Sequence, residues 1–217
     1  MVSISHIPSD QTTAVTDAVL AIIAIASGGY IRWISKTNSW KTTLWFWLFV
    51  LLAFSAALGT MAHGLKMSSI YQSLLWDALY LTLGLLVGLF MVAVIHDIWG
   101  KMIARKALPI IIVMALGFFV ATLVWPDNFS VFILYEASVM LFALGGYLWL
   151  ASRSRLVGAW WMVFGIFVTV IAAYVQTRHG LSFTLIWPFN HNGVYHLLQM
   201  IGIVFLVAGL RKAERNP

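Results

Sequence analysis

The sequence predicts an all-α integral membrane protein in which residues 1–217 form one seven-transmembrane helix bundle. Three observations lead to this fold class. The 217 residues are 62% hydrophobic and only 9% charged, whereas a soluble domain carries about 25% charged residues. Seven segments are long and apolar enough to cross a bilayer. Lysine and arginine are concentrated in alternate connections between these segments.

Each predicted helix is a run of about 20 mostly apolar residues, the length that a bilayer requires. Short connections with Gly, Pro, Asn or charged residues bound the runs. The first run is not typical of a signal peptide, because no basic region precedes it. All seven are too long and too uniformly apolar for transmembrane β-strands. The predicted spans are residues 13–34, 43–63, 73–95, 107–125, 129–150, 157–177 and 192–210.

The distribution of Lys and Arg predicts the orientation of the bundle. Eleven of the 13 basic residues lie in the first, third and fifth connections and the C-terminal tail, and only Lys66 and Arg178 lie on the other side. The positive-inside rule then places the N-terminus outside and the C-terminus in the cytoplasm. We expect a multi-pass protein of the cell membrane (plasma or inner). Because topology accounts for the positive charge, no nucleic-acid partner is expected.

Ionisable residues inside spans are costly and by default mark a functional site. This chain has six acidic or histidine residues within or directly before its predicted spans, on five different helices. The predicted topology places all six in the outer part of the membrane. Asp10, Asp127 and His179 are expected in tails or loops, and His96 and Asp97 at the cytoplasmic end of helix 3. The pattern predicts a polar cavity near the outer face, walled by helices 1, 2, 3, 5 and 7. The six ionisable residues expected to line this cavity are Asp17, His63, Asp77, Glu136, His191 and His196.

Helical spacing places these residues on faces with small or polar neighbours, because positions i, i+4 and i+7 share a face. Thr60 lies beside the stripe on helix 2. The two glycines on helix 3 permit close helix packing. The stripes are Asn192, His196 and Gln199 on helix 7, Ser55, Gly59 and His63 on helix 2, and Asp77, Tyr80, Gly84 and Gly88 on helix 3.

Each residue also has a structural interpretation. His63 could be a hydrogen-bonded packing residue, His191 a hydrated interfacial residue, and Asp17 a link between helices 1 and 7. The clustering of all six at one depth favours a shared site over six independent structural roles.

Histidine and carboxylate without cysteine suit zinc, since a catalytic zinc site uses three protein ligands and a water. The chain has no Cys, which excludes disulfides and thiolate ligands. His63, His191 and His196 are the candidate ligands, and Asp77 is the candidate general base. His191 and His196 are about 140° apart around a helix, so both reach one metal only if His191 precedes helix 7.

Seven spans, a His ending helix 2, an Asp early in helix 3 and a His pair opening helix 7 resemble the CREST superfamily of membrane hydrolases. This superfamily includes alkaline ceramidases and adiponectin/progestin-type receptors. The run Tyr71–Asp77 is similar to the stretch that enters helix 3 in alkaline ceramidases. The resemblance implies that three His bind zinc while a Ser and an Asp assist a water that hydrolyses a lipid amide or related bond.

Applied to the matching positions of this sequence, the family roles imply that His63 and His196 are zinc ligands and that Asp77 is a catalytic residue. Two positions depart from the family pattern. Gly59 stands where the family has Ser, although Ser55 and Thr60 are near. Asn192 stands where the family has His, and His191 precedes it.

Two functions therefore stay open. The first is a zinc-dependent hydrolase of a lipid amide or ester from the outer leaflet. The alternative is a non-enzymatic receptor or sensor that binds a lipid or small polar ligand in the same cavity. For that ligand, the candidate contacts are Asp17, Tyr80, Glu136, Asn192 and Gln199.

The expected partners are membrane lipids and a lipid ligand or substrate, and the sequence indicates no protein partner. Transport is disfavoured because the polar residues do not continue to the inner face. A retinal protein is not expected because the predicted helix 7 contains no Lys.

Overall fold

The computed structural model describes residues 2–35, 39–125, 130–178 and 180–215. Within these residues it contains seven helices long and apolar enough to cross a membrane, which confirms the predicted seven-helix architecture. The helices are α1 (Pro8–Ile34), α2 (Trp40–Gly64), α3 (Ser69–Trp99), α4 (Lys101–Val124), α5 (Ser130–Ser152), α6 (Ala159–Gln176) and α7 (His191–Arg215).

The helices extend beyond several predicted ends. Helix α1 begins at Pro8, because proline suits the first turn of a helix, and Asp10 lies in that first turn. The expectation that Asp10 lies in a tail is therefore wrong, and an acidic residue is favourable at this helix terminus. Asp127, His179 and residue 129, the expected start of the fifth span, lie outside the described residues.

Helix α7 extends to Arg215 and therefore contains Lys212, which corrects the expectation of a helix without lysine. Basic residues are favourable near a helix C-terminus, which explains why the helix continues into the basic tail. Lys212 is exposed, and its ammonium lies 5.0 Å from the centre of the Trp161 ring. This lysine lies far from the polar residues at the start of the helix.

Six helices form a ring in the order α1, α2, α3, α5, α6 and α7, and α7 closes the ring by packing against α1. Helix α4 lies outside this ring and packs mainly on α3. Gly84 and Gly88 permit that close approach: a Cβ added to Gly84 would lie 2.7 Å from the Phe118 ring. These two glycines therefore face α4, although their spacing predicts the same interior face as Asp77.

We call the end where α1, α3, α5 and α7 begin the N-terminal end of the bundle. Two short antiparallel strand pairs lie there: β1 (Ser3–Ile4) pairs with β2 (Leu65–Lys66), and β3 (Ser182–Thr184) pairs with β4 (Pro188–Asn190). Strands of two or three residues leave no periodic pattern in the sequence, so these pairs were not predicted. The second pair leads directly into α7.

A buried ion pair joins helices at the opposite end. The Lys41 ammonium lies 2.7 Å from Oδ1 of Asp97, whose side chain is 3% exposed. Tyr147 donates a hydrogen bond of 2.8 Å to Oδ2 of the same carboxylate. Helices α2, α3 and α5 are therefore linked at this end, well away from the polar residues considered below.

Candidate functional site

A cavity of about 880 Å³ lies within the ring of six helices. Its volume is within the range of about 300–1,000 Å³ that is usual for small-molecule sites. Ten of the eleven site residues predicted from sequence line it. They are Asp17, Ser55, His63, Asp77, Tyr80, Glu136, His191, Asn192, His196 and Gln199.

Thr60 is the predicted site residue that does not line the cavity. Its hydroxyl donates a hydrogen bond of 2.9 Å to the Ala56 carbonyl of its own helix. Neighbouring residues of a helix are rotated by about 100°. Thr60 is therefore turned away from the face that Ser55, Gly59 and His63 present. The prediction that Thr60 belongs to the site is therefore wrong, because a residue adjacent to Gly59 in sequence need not share its helix face.

Asp17 of α1 and His196 of α7 form a buried pair at the cavity wall. His196 Nε2 lies 3.2 Å from Asp17 Oδ1, and the two side chains are 9% and 6% exposed. The other ring nitrogen, Nδ1, lies 3.0 Å from the hydroxyl of Thr16. Both nitrogens of His196 are therefore engaged by α1.

The hydrogen-bond network around Thr16 indicates the tautomer of His196, as such networks do at sites of this kind. The Thr16 hydroxyl donates its single proton to the Thr13 carbonyl at 2.8 Å. It therefore accepts a hydrogen bond from Nδ1–H of His196. One proton then lies between His196 Nε2 and Asp17 Oδ1, on the imidazole or on the carboxyl group.

Gly59 of α2 makes room for this pair. A Cβ built on Gly59 would lie 2.8 Å from Asp17 Oδ2 and 2.9 Å from Asp17 Oδ1. These distances are too short for any side chain without displacing the carboxyl group. The Asp17 carboxyl group of α1 therefore fills the space that the side chain of a Ser would need at this position, where the CREST pattern has Ser.

Glu136 of α5 makes a second link to α7. Tyr195 donates a hydrogen bond of 3.3 Å to Glu136 Oε1, and Glu136 is 4% exposed. One turn further along α7, the Gln199 amide oxygen accepts a hydrogen bond of 3.3 Å from Thr169 of α6. Helix α7 therefore contacts polar side chains from three neighbouring helices along the cavity.

His63, Asp77 and His191 lie closer to the N-terminal end, and each is partly exposed. The His63 ring packs edge-on against Trp76, with ring centres 5.4 Å apart. Trp76 in turn lies 6.0 Å from the ring of Tyr80. This part of the wall is therefore aromatic as well as ionisable. His191 is the first residue of α7, so it does not precede the helix as a shared metal with His196 requires.

Four buried polar atoms of cavity-lining side chains have no hydrogen-bond partner among the described residues. Each comes from a different helix, namely α1, α2, α5 and α6. Such atoms are rare in native proteins and point to a missing partner. They are Asp17 Oδ2, Ser55 Oγ, Glu136 Oε2 and Gln176 Oε1.

Helix α6 contributes residues that the sequence analysis missed, since helices 1, 2, 3, 5 and 7 were expected to form the wall. Thr169 and Gln176 of α6 both line the cavity. Gln176 is an amide at the end of a mostly apolar helix, and this was an available signal. Because α6 contains no Asp, Glu or His, the clustering of ionisable residues did not predict that this helix contributes to the wall.

The other half of the cavity is apolar. Its wall includes Leu48 and Phe49 of α2, Phe90 of α3 and Leu206 of α7. At 1.5 Å per residue, the lining extends about 22 Å along α2 from His63 to Leu48. The cavity is thus elongated, with a polar part near the N-terminal end and an apolar part toward the opposite end.

The zinc site that the resemblance implies stays a prediction that the described arrangement does not support. The described part of the chain contains no group of three or more His, Asp or Glu side chains placed to hold a metal ion. His196 also has both ring nitrogens engaged by Thr16 and Asp17, whereas a ligating His needs a free nitrogen. No catalytic step through zinc follows from this arrangement.

Comparisons with known proteins identify a family but not an activity. No curated protein and no solved structure matches the chain. A family model matches residues 12–215, which include all the cavity-lining residues from Asp17 to Leu206. The chain therefore belongs to the family of unknown function DUF6962.

Proposed function

We propose that this protein binds a long-chain amphiphile in the cavity, with the polar headgroup toward the N-terminal end and the chain in the apolar half. The observation that carries this proposal is the set of four unpartnered polar atoms on four helices around one cavity. Each buried polar group without a partner costs about 1–3 kcal/mol. A headgroup that supplies partners removes this cost.

The shape of the cavity supports an amphiphile over a small polar solute. Water or a small solute satisfies polar atoms only where the cavity is polar, and apolar cavities stay dry. The half lined by residues such as Phe49, Phe90 and Leu206 offers no hydrogen bonds to water from its side chains. A hydrocarbon chain fills that half, and a headgroup fills the other. This is the receptor or ligand-binding function that the sequence analysis left open.

We also propose that the N-terminus lies outside and the C-terminus in the cytoplasm. The distribution of basic residues along the helices supports this orientation. Basic residues such as Arg32, Lys41, Lys101 and Arg211 lie at the end opposite the strand pairs. The positive-inside rule places that end in the cytoplasm. The headgroup then comes from the outer leaflet of the cell membrane.

Hydrolysis of a lipid amide or ester is the second candidate function. One observation favours it: Asp77 and three histidines, His63, His191 and His196, line the same cavity. Elemental analysis of the purified protein distinguishes the two functions. We expect no retained zinc, and near-stoichiometric zinc that is lost in His63→Ala and His196→Ala would favour the hydrolase.

Filling the apolar half of the cavity tests the binding function. Leu83 of α3 lines the cavity, so Leu83→Trp places a larger ring in the space proposed for the chain. We expect native mass spectrometry to detect saturable binding of dodecanol to the wild type and at least about a tenfold loss of affinity in the variant, equivalent to about 1.4 kcal/mol.

Leu123→Trp is the matched control, because Leu123 is 48% exposed on α4, outside the ring. It should bind dodecanol as the wild type does. Equal binding of dodecanol by both variants, or no saturable binding of any dodecyl amphiphile by the wild type, contradicts the proposed function. Thermal unfolding of both variants shows that any loss of binding is not a loss of fold.

A further inference from the structure

Two carboxyl groups lie at the same level of the bundle because adjacent residues of α7 hold them. Tyr195 donates to Oε1 of Glu136 at 3.3 Å, and His196 Nε2 lies 3.2 Å from Oδ1 of Asp17. The rings of Tyr195 and His196 are 5.5 Å apart. Helices α1 and α5 therefore bring their carboxyl groups to one short stretch of α7.

Each of these carboxyl groups uses one oxygen and leaves the other without a partner in the described structure. The two oxygens are Asp17 Oδ2 and Glu136 Oε2, and both residues are 4% exposed and line the cavity. The Gln176 amide oxygen on α6 is a third buried acceptor without a donor. Three of the four unpartnered atoms are therefore carboxyl or amide oxygens, which accept hydrogen bonds, the carboxyl oxygens when ionised.

Carboxyl groups are numerous in the wall. Four of the six Asp and Glu side chains in the described part of the chain line the cavity, namely Asp10, Asp17, Asp77 and Glu136. The described lysines and arginines are all absent from that lining. An anionic headgroup would meet these carboxyl groups, and the bases in the described lining are three histidines rather than a lysine or an arginine. A cation would be attracted, and aromatic faces such as Trp76 and Tyr80 also favour cations.

Building on the amphiphile-binding function above, we propose that Asp17 and Glu136 bind the protonated primary amine of a long-chain amine. An ammonium group carries three N–H donors and no acceptor, which matches a site with unpartnered acceptors. Hydrogen bonds between charged groups are stronger than neutral ones. A hydroxyl headgroup supplies one donor and no charge, and a quaternary ammonium supplies charge without a donor.

Four probes with the same chain length separate these headgroup chemistries: dodecylamine, dodecanol, dodecyltrimethylammonium and dodecanoic acid. We expect dodecylamine to bind at least about tenfold more tightly than the other three in native mass spectrometry titrations, as one charge-assisted hydrogen bond predicts. In Glu136→Gln and Asp17→Asn, this preference for dodecylamine over dodecanol should fall by about tenfold.

The matched control is Glu214→Gln, which makes the same change on α7 at the far end, where Glu214 accepts hydrogen bonds from Ser35 and Thr42. It should keep the preference for the amine. Saturable binding of dodecanol with no preference for dodecylamine overturns the amine inference and leaves the binding function intact. Equal binding of dodecyltrimethylammonium, or tightest binding of dodecanoic acid, also overturns the inference. Failure of all four probes overturns the binding function itself.

Discussion

At the scale of single residues, the site depends on how Asp17 is held. Its Oδ1 contacts His196, its Oδ2 has no partner among the described residues, and Gly59 leaves the space that the carboxyl group occupies. The predicted topology placed Asp17 and His196 in the outer part of the membrane, and a link from Asp17 to helix 7 was one of the structural interpretations. The partner on helix 7 could not be predicted, because spacing along one helix carries no information on which face of another helix it meets.

Replacing Gly59 tests this arrangement. Gly59→Ala places a methyl group 2.8 Å from Asp17 Oδ2, so the carboxyl group must move away from His196. We expect the variant to lose about 1–3 kcal/mol of stability through overpacking and to bind dodecylamine more weakly. The measurements are thermal unfolding and native mass spectrometry.

The chain offers a matched control on α4. A Cβ on Gly117 meets no atom within 4 Å, so Gly117→Ala should be neutral or stabilising, since Ala favours a helix over Gly by about 1 kcal/mol. If Gly59→Ala were as stable as Gly117→Ala and bound dodecylamine as the wild type does, Gly59 would not be needed to accommodate Asp17.

At the scale of the elements, hydropathy predicted the seven helices but not their ends or their partners. The bilayer imposes a length on each apolar run, so the runs were visible in the sequence. Pro8 and Asp10 lie in α1 because end effects favour them there, and a hydropathy window does not register such effects. The contribution of Gln176 of α6 to the cavity depends on the ring order of the helices, which only tertiary packing determines.

The orientation of the elements is testable because the chain contains no Cys. Single cysteines at Lys66 and Lys106 place one thiol in the connection between α2 and α3 and another near the start of α4. In intact cells, a membrane-impermeant maleimide should label Lys66→Cys and leave Lys106→Cys unlabelled until the membrane is opened. The positive-inside rule predicts this result.

The unsubstituted chain is the background control for labelling, since it has no thiol. Labelling of Lys106→Cys in intact cells, with Lys66→Cys protected, would show the reverse orientation. The headgroup would then come from the cytoplasmic leaflet, and the cavity function would have to be reinterpreted for that leaflet.

At the scale of the whole molecule, two groups of polar contacts have different roles. At the end opposite the strand pairs, the Lys41–Asp97 pair and Tyr147 satisfy each other, so that group holds helices together. Near the N-terminal end, the polar groups around the cavity are only partly satisfied. The contrast between a satisfied cluster and an open one is what the proposed binding function predicts.

Experimental density for the cavity of the purified wild-type protein is the most direct test of amphiphile binding. We expect one elongated density, with its head between Asp17 and Glu136 and its tail running toward Phe90. A cavity closed by side chains, with Asp17 Oδ2 and Glu136 Oε2 bonded to other groups of the protein, would contradict it.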